Sequence, residues 1–311
     1  MPTTKVRGQM AGKIEAVEGV KETLTAAEGY LAYDASFEPD QKHEERNPAK
    51  ETAGSLESVP AERSGKMVYT VELAGSGVPG TPPFWGMFLK ACGCSETIVT
   101  NTSVEYKPAT LNHPSLTLAQ YTGELIKRLW GARGDAVLTM DLQKKLRAKF
   151  TFTGCDWEEV DGGLLVGINY PLIKPQVFMG ASFSFDTYAA IISKLELALS
   201  NSVQLRGSAN AASGYMPPLL NPDKARQPKL TFDPEQVTVA TKNFCGLWRG
   251  SAGAVLSCTI GSTPGNIITL SAPKAQITDL KNADRKGIRI NQLTALLRES
   301  SGDDEWSLLL T

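Results

Sequence analysis

One stretch of this chain returns later in it, and that return constrains the fold more than any other feature. Residues Tyr69 to Gly93 read as a strand, a glycine-rich turn and a short helix. Tyr69, Val71 and Leu73 alternate with Thr70 and Glu72, which is the period of a half-buried strand. Pro82 and Pro83 suit the first helical turn, where backbone N–H groups lack partners anyway. Phe84, Trp85, Phe88 and Leu89 follow at helical spacing, and Gly93 is placed to end the helix. A second strand from Lys229 precedes a second short helix within Thr241 to Gly253, where Phe244, Gly246 and Gly253 repeat Phe84, Gly86 and Gly93, each 160 positions on. Lys149 to Gly154 is echoed by Trp306 to Thr311, 157 positions on. Two matches at nearly one offset predict an internal duplication.

A length of 311 residues with 41% hydrophobic content fits two domains with real cores. The net charge of −1 gives no basic footprint for a dedicated nucleic-acid binder. The polar start from Met1 to Tyr30 lacks the apolar run of a signal peptide, and no long apolar stretch elsewhere is suited to span a membrane. Five cysteines, with Cys92 and Cys94 as a C-x-C and Cys155, Cys245 and Cys258 far off, fit reduced thiols better than a disulfide framework.

In chain order the expected plan is an N-terminal arm over 1–30, a first β-sandwich over 31–155, a linker over 156–176 and a second β-sandwich over 177–311. Many short strands with turn signals argue a mainly β fold of the sandwich or barrel class, each half carrying one short helix. Residues 124–130 and 136–142 read as separate strands, and the acidic, Gly-rich Asp156 to Gly163 reads as linker. Between the first two strands of the first half lies a polar excursion from Glu38 to Lys66. It carries Asp40, Glu44, Glu45, Arg46, Lys50, Glu51, Glu57, Glu62 and Arg63. Structureless loops longer than about 15 residues are uncommon within compact domains and are usually functional or disordered. This one reads either as a solvated loop or as a loop that orders on a partner. Ser200 to Gln227, rich in Ser, Asn, Gly and Pro, occupies the same place in the second half.

Few residues point to chemistry. Gly75, Gly77 and Gly80 match G-x-G-x-x-G between a strand and a helix, the spacing that brings backbone close to a pyrophosphate. The preceding strand alternates, whereas the parallel strand of a dinucleotide site is buried on both faces, so the reading is a plain turn. His43 and His113 lack a nucleophile or carboxylate context. Cys92 and Cys94 supply two ligands where a structural zinc takes four. Phe84, Trp85, Phe88, Phe244 and Trp248 are expected to anchor the two helices against the sandwich or a neighbour. No catalytic constellation, cofactor or metal is expected.

Several motifs taken in order resemble the major tail tube proteins of long-tailed, non-contractile phages. They are Val71 to Gly77, Pro83 to Gly93, Ser103 to Pro108, Gly131 to Gly134 ahead of Phe150 to Gly154, Asn243 to Ala254, Ile260 to Asn266 and Gly302 to Thr311. The Lys144-Lys145 turn departs from the pattern, where a glycine is expected. The resemblance implies β-sandwich tube domains whose strands close a barrel around a lumen, with a long loop reaching the adjacent ring. It implies a structural virion protein, made in the host cytoplasm and placed in the tail, through whose lumen DNA passes without specific binding. Implied partners are further copies of the chain, in trimeric rings or alternatively hexameric ones, and the tail terminator, distal tail and tape measure proteins. No membrane partner is expected. The alternative of another class is a soluble two-domain β-sandwich binding module decorating a virion.

Overall fold

The computed structural model describes residues 8–170 and 173–311. The first seven residues of the expected arm, and residues 171 and 172 of the expected linker, lie outside them. The fold is mainly β. The first half contains β1 (Gly8–Ile14), β2 (Gly29–Tyr30), β3 (Tyr33–Glu44), β4 (Val59–Glu72), α1 (Gly86–Ala91), β5 (Cys94–Val99), β6 (Ser103–Pro108), β7 (Leu116–Thr122), β8 (Leu125–Asp141), β9 (Arg147–Gly154) and β10 (Asp156–Asp161). The second contains β11 (Ser182–Phe185), β12 (Lys194–Ala198), β13 (Val203–Gly207), β14 (Tyr215–Leu220), β15 (Lys229–Phe232), α2 (Phe244–Arg249), β16 (Gly253–Ile260), β17 (Ile268–Arg285), β18 (Ile288–Leu297) and β19 (Ser307–Leu310).

The duplication is visible in the pairing of these strands. In the first half the antiparallel order is β3-β4-β9-β8-β7-β1, with β10 added beside the first part of β8. In the second it is β12-β15-β18-β17-β16-β11, with β19 added beside the first part of β17. Both long central strands also break register at one matching place, between Leu129 and Ala132 against β7 and between Ala272 and Ala275 against β16. A bulge bends a strand and increases its twist, so each long strand can pass from one sheet layer to the next. By this order β19 corresponds to β10 and β18 to β9. The echo of Lys149–Gly154 in Trp306–Thr311 therefore joins strands that are not equivalent, which corrects the sequence reading.

Other boundaries differ too. Part of the expected arm is a strand, since β1 pairs along its whole length with β7. Residues 125–130 and 136–141, from the two expected strands, belong to the single strand β8, which pairs with β10 along its first part and with β12 along its second. Asp156 to Asp161, expected as linker, is β10; it pairs along its length with β8, and Glu158 meets Lys21 and Arg128. Beyond β10, Gly162 N–H donates to the Glu124 carbonyl at 2.8 Å, and Gln9 of β1 exchanges two hydrogen bonds with the backbone of Leu165.

One contiguous buried cluster runs from Met10 to Leu310 through both halves. Tyr30, Tyr69, Phe88, Phe150 and Phe152 stack within it at centroid separations of 4.9–6.1 Å. The halves share sheets at two junctions. β12 pairs with the second part of β8, and β19 pairs with β6.

Candidate functional site

The polar excursion of the first half is mostly not a loop. β3 and β4 pair from Tyr33–Thr70 out to Glu44–Val59, so the excursion is a β-hairpin arm whose unpaired tip is residues 45–58. Alternating Phe37 and Met67 on one side and charged residues on the other fit a ribbon with one face to the body. Phe37 is half-buried against the Trp157 ring, at 6.0 Å and 67°. Asp40 and Glu44 lie on β3, Glu62 and Arg63 on β4, and Glu45, Arg46, Lys50, Glu51 and Glu57 in the exposed tip.

Two of these residues are already engaged within the chain. Arg63 donates twice to Asp156, at 2.6 and 3.1 Å, a fork that ties the root of the arm to β10. The same contact raises the Arg63 pKa. Glu62 accepts from Lys42 at 2.7 Å and from the Tyr215 hydroxyl at 3.3 Å. The Lys42 contact holds the Glu62 carboxyl below its usual range. The other seven residues named from sequence remain candidates for contact with another molecule.

The second-half excursion takes a different course. After Asn201 it forms the hairpin β13–β14, which folds back onto the first half. Arg133 donates to the Pro218 carbonyl at 2.9 Å, Arg63 N–H to the Ser213 carbonyl at 2.9 Å, and Asn201 Nδ2 to the Cys92 carbonyl at 2.6 Å. Thus one arm is docked within the chain while its counterpart projects.

The helix anchors divide. Trp85 is fully buried, donates to the Ala74 carbonyl at 2.8 Å and lies 5.6 Å from the Tyr106 ring. Phe88 and Phe244 are buried and Phe84 is half-buried. Trp248 is 39% exposed, and its indole N–H donates to the Thr278 carbonyl at 3.2 Å.

The G-x-G-x-x-G turn meets protein rather than an open cradle. Gly77 N–H donates to the Gly265 carbonyl at 3.0 Å, and Gly75 N–H to Asn266 Oδ1 at 2.7 Å. A Cβ on Gly75 would sit 2.0 Å from the Gly265 oxygen. These glycines let the backbones of the two halves touch.

An open cleft of about 780 Å³ lies between the halves, lined on its polar side by Lys224, Arg226, Lys274, Arg298, Glu299 and His113. Arg226 is committed to Asp303 and to Glu305, the latter at 3.0 Å. Burial lowers the His113 pKa, which keeps the imidazole neutral near pH 7, and Nε2 faces the Ala109 carbonyl at 2.9 Å. Burial raises the thiols of Cys92 and Cys94, and pushes Cys155 and Cys258 up to about 12. Such thiols stay protonated, and the thiolate is the nucleophile. Among the described residues no group of three or more His, Cys, Asp or Glu is placed to hold a metal, and no helix is long and apolar enough to cross a membrane.

No family model matches the chain, and no curated protein matches it.

Proposed function

We propose that this protein is a structural subunit of a phage tail tube, which polymerises into stacked rings around a lumen that conducts DNA. The observation that carries the reading is the junction of β12 with β8. There Leu195 faces Met140, and Leu197 faces Leu138. The chain is thus two like β-units joined edge to edge, which is how a wall of such units would be extended. The ordered motifs from Val71 to Thr311 support a tail tube in particular.

If six such units close a ring, three chains supply them with pseudo-six-fold symmetry; six chains per ring is the alternative. Closed rings follow when a head-to-tail interface repeats through a rotation that returns on itself. The projecting tip at 45–58 then serves contacts to the next ring, and the tail terminator, distal tail and tape measure proteins meet the ends and the lumen. A net charge of −1 suits a conduit, because cations that neutralise phosphates would hold DNA back. Electron microscopy of the concentrated purified protein tests the reading. Rings and tubes with a continuous lumen are expected; a discrete, unassembled particle at every concentration favours a decoration module instead.

A further inference from the structure

We infer that copies of this chain join by pairing the outer edge of β3 of one copy with the outer edge of the second part of β17 of the next, with Glu38 opposite Lys281. This inference rests on the reading that the chain assembles with itself, and it adds the edges and the register.

In the first repeat the second part of β8 has β9 on one side and β12, the first strand of the second repeat's order, on the other. In the second repeat the second part of β17 has β18 on one side. Its other side pairs with β16 only as far as Gln276, and among the described residues no strand pairs with it from Ile277 to Arg285. β3 is the counterpart of β12. It pairs with β4 on one side, and among the described residues no strand pairs with its other side. The chain therefore uses this junction once internally and, among the described residues, leaves both halves of a second one without a strand, with α2 beside the start of the β17 edge, where the Trp248 indole N–H donates to the Thr278 carbonyl. A strand edge with unpaired N–H and C=O groups is a template for another strand.

The register follows from the bulges shared by β8 and β17. Two residues beyond each bulge stand Gly134 and Ile277. Across the sheets, Gly134 aligns with Phe152, Met67 and Phe37, and Ile277 with Ala295, Leu230 and Leu197. Phe37 is thereby equivalent to Leu197, and the two are 160 positions apart, the same spacing as the helix motifs. Four rungs further along the ladder, past a bulge between Ile277 and Asp279 that β8 does not have, Leu138 is equivalent to Asn282, through Ala148 and Asn291. Since Leu197 faces Leu138 and Ala198 faces Val137, Phe37 should face Asn282 and Glu38 should face Lys281. Ser36 then faces Ala283.

The chemistry at these positions fits. Glu38 and Lys281 carry opposite charges where the internal junction has Ala198 and Val137. Among the described residues Lys281 forms an ion pair with Asp279 alone, at 2.9 Å in an exposed pair, and such pairs are held weakly. Gln120 and Trp157 donate to the Ala35 and Asp40 carbonyls, and the segment Ser36–Glu38 that would pair lies between those two, ending at Pro39, which has no N–H to match the Leu199 bond to the Ala136 carbonyl in the internal junction. The open junction also lacks the β6–β19 pairing of the internal one, because α2 leads directly into β16 with no counterpart of the β5–β6 hairpin. It should be the weaker of the two, which suits an interface made after each chain has folded.

Disulfide trapping tests the register. In a Cys245→Ser background, chains carrying Glu38→Cys are mixed with chains carrying Lys281→Cys and oxidised during assembly. Directly opposed residues of antiparallel strands lie about 4.5–5.5 Å apart, within reach of a disulfide. A control chain carries Glu44→Cys, six residues and about 20 Å along the strand. The expected result is a 38–281 cross-linked dimer formed at roughly tenfold or greater excess over the 44–281 product, given that distance requirement. Equal yields, or assembled protein without the 38–281 product, overturn the inference. Closed rings that carry the 38–281 bond but never stack uphold the edge pairing and overturn the tube. Tubes without the bond uphold the tube and overturn the edge pairing. A chain that stays monomeric at every concentration overturns both.

Discussion

Leu138 and Leu197 lie directly opposite each other where the two repeats meet, and both are fully buried. They belong to the single core that runs through both halves, so the repeats should not melt separately. The Leu197→Ala variant is expected to lose about 2–5 kcal/mol, the usual cost of such a cavity. Far-UV circular dichroism and fluorescence should report one coincident transition in urea, since Trp85, Trp130 and Trp157 lie in the first half and Trp248 and Trp306 in the second. Two separate transitions would show that the junction does not couple the halves.

Gly75 packs against the Gly265 backbone where the two repeats meet. A methyl group on Gly75 would meet backbone rather than a mobile side chain, so Gly75→Ala must push the two turns apart. A loss of about 1–3 kcal/mol is expected, as for overpacking elsewhere. Calorimetric titration of NAD or ATP should show no saturable binding, because the glycine backbone already contacts Gly265 and Asn266. Saturable binding abolished by Gly77→Val would reverse that assignment.

The parts of the fold legible in the sequence were those governed by local pattern. Alternation marked β9, β12 and β16 closely and the end of β4 from Tyr69, while the start of β4 reads as loop, and the glycine and proline positions marked the turn before α1. What escaped was set by distant partners. β1 is short and weakly patterned, and it is a strand because β7 lies beside it. Asp156 to Asp161 carries four acidic residues, and it pairs because Lys21, Lys127, Arg128 and Arg63 face it. The charged arm looked like a loop because its distal part, over residues 42–44 and 59–61, meets solvent on both faces, which removes the apolar alternation that identifies a strand. The duplication was legible from Phe84 and Phe244. Its open edges were not, since edge pairing is a property of the ladder and leaves no residue signature.

Trp85 and Trp248 occupy neighbouring points in the two repeats and should behave differently. Trp85→Ala empties a fully enclosed site and is expected to cost about 3–5 kcal/mol. Trp248 is 39% exposed, so Trp248→Ala should cost under about 1 kcal/mol, close to the range of surface substitutions. Chemical denaturation of the two variants checks this. Equal losses would mean that α2 is packed as firmly as α1.

Asp303 gives the junction a pH dependence. Burial opposes its ionisation, but hydrogen bonds from Arg226 and Thr110 outweigh that and hold the carboxyl below its usual range. A carboxylate with a depressed folded pKa stabilises fully above its unfolded value of about 3.9, and that stability is lost as pH falls through the folded value. The group is partly exposed, so Asp303→Asn should cost under about 1 kcal/mol at pH 7. Its urea midpoint should rejoin that of the parent near pH 2, once both side chains are uncharged. A gap between the two curves that persists in acid would show that the contact acts through packing instead.

The tip of the first arm provides the test of stacking. Its counterpart hairpin, β13–β14, is held on the body by Arg133, Arg63 and Asn201, whereas residues 45–58 have few contacts with the rest of the chain. An exposed segment of mixed charge can order on a partner, losing its chain entropy only when bound. Glu45, Arg46, Lys50, Glu51 and Glu57 would then meet a neighbouring ring. Arg63 and Glu62 would stay in their internal pairs and keep the arm's root in place. Replacing residues 45–58 by a short Gly-Ser linker should therefore leave a folded chain that still makes rings but does not extend them. Its melting should match the parent within about 0.5 kcal/mol, as for changes away from packed features. Raising salt should reproduce part of the defect in the parent protein, because contacts between exposed charges weaken as the screening length falls from about 8 Å at physiological ionic strength to about 3 Å at 1 M. Particle length measured by electron microscopy decides the matter. Full-length tubes from the linker variant would remove the tip from the stacking contact and leave the ring interface to be judged by the Glu38–Lys281 cross-link alone.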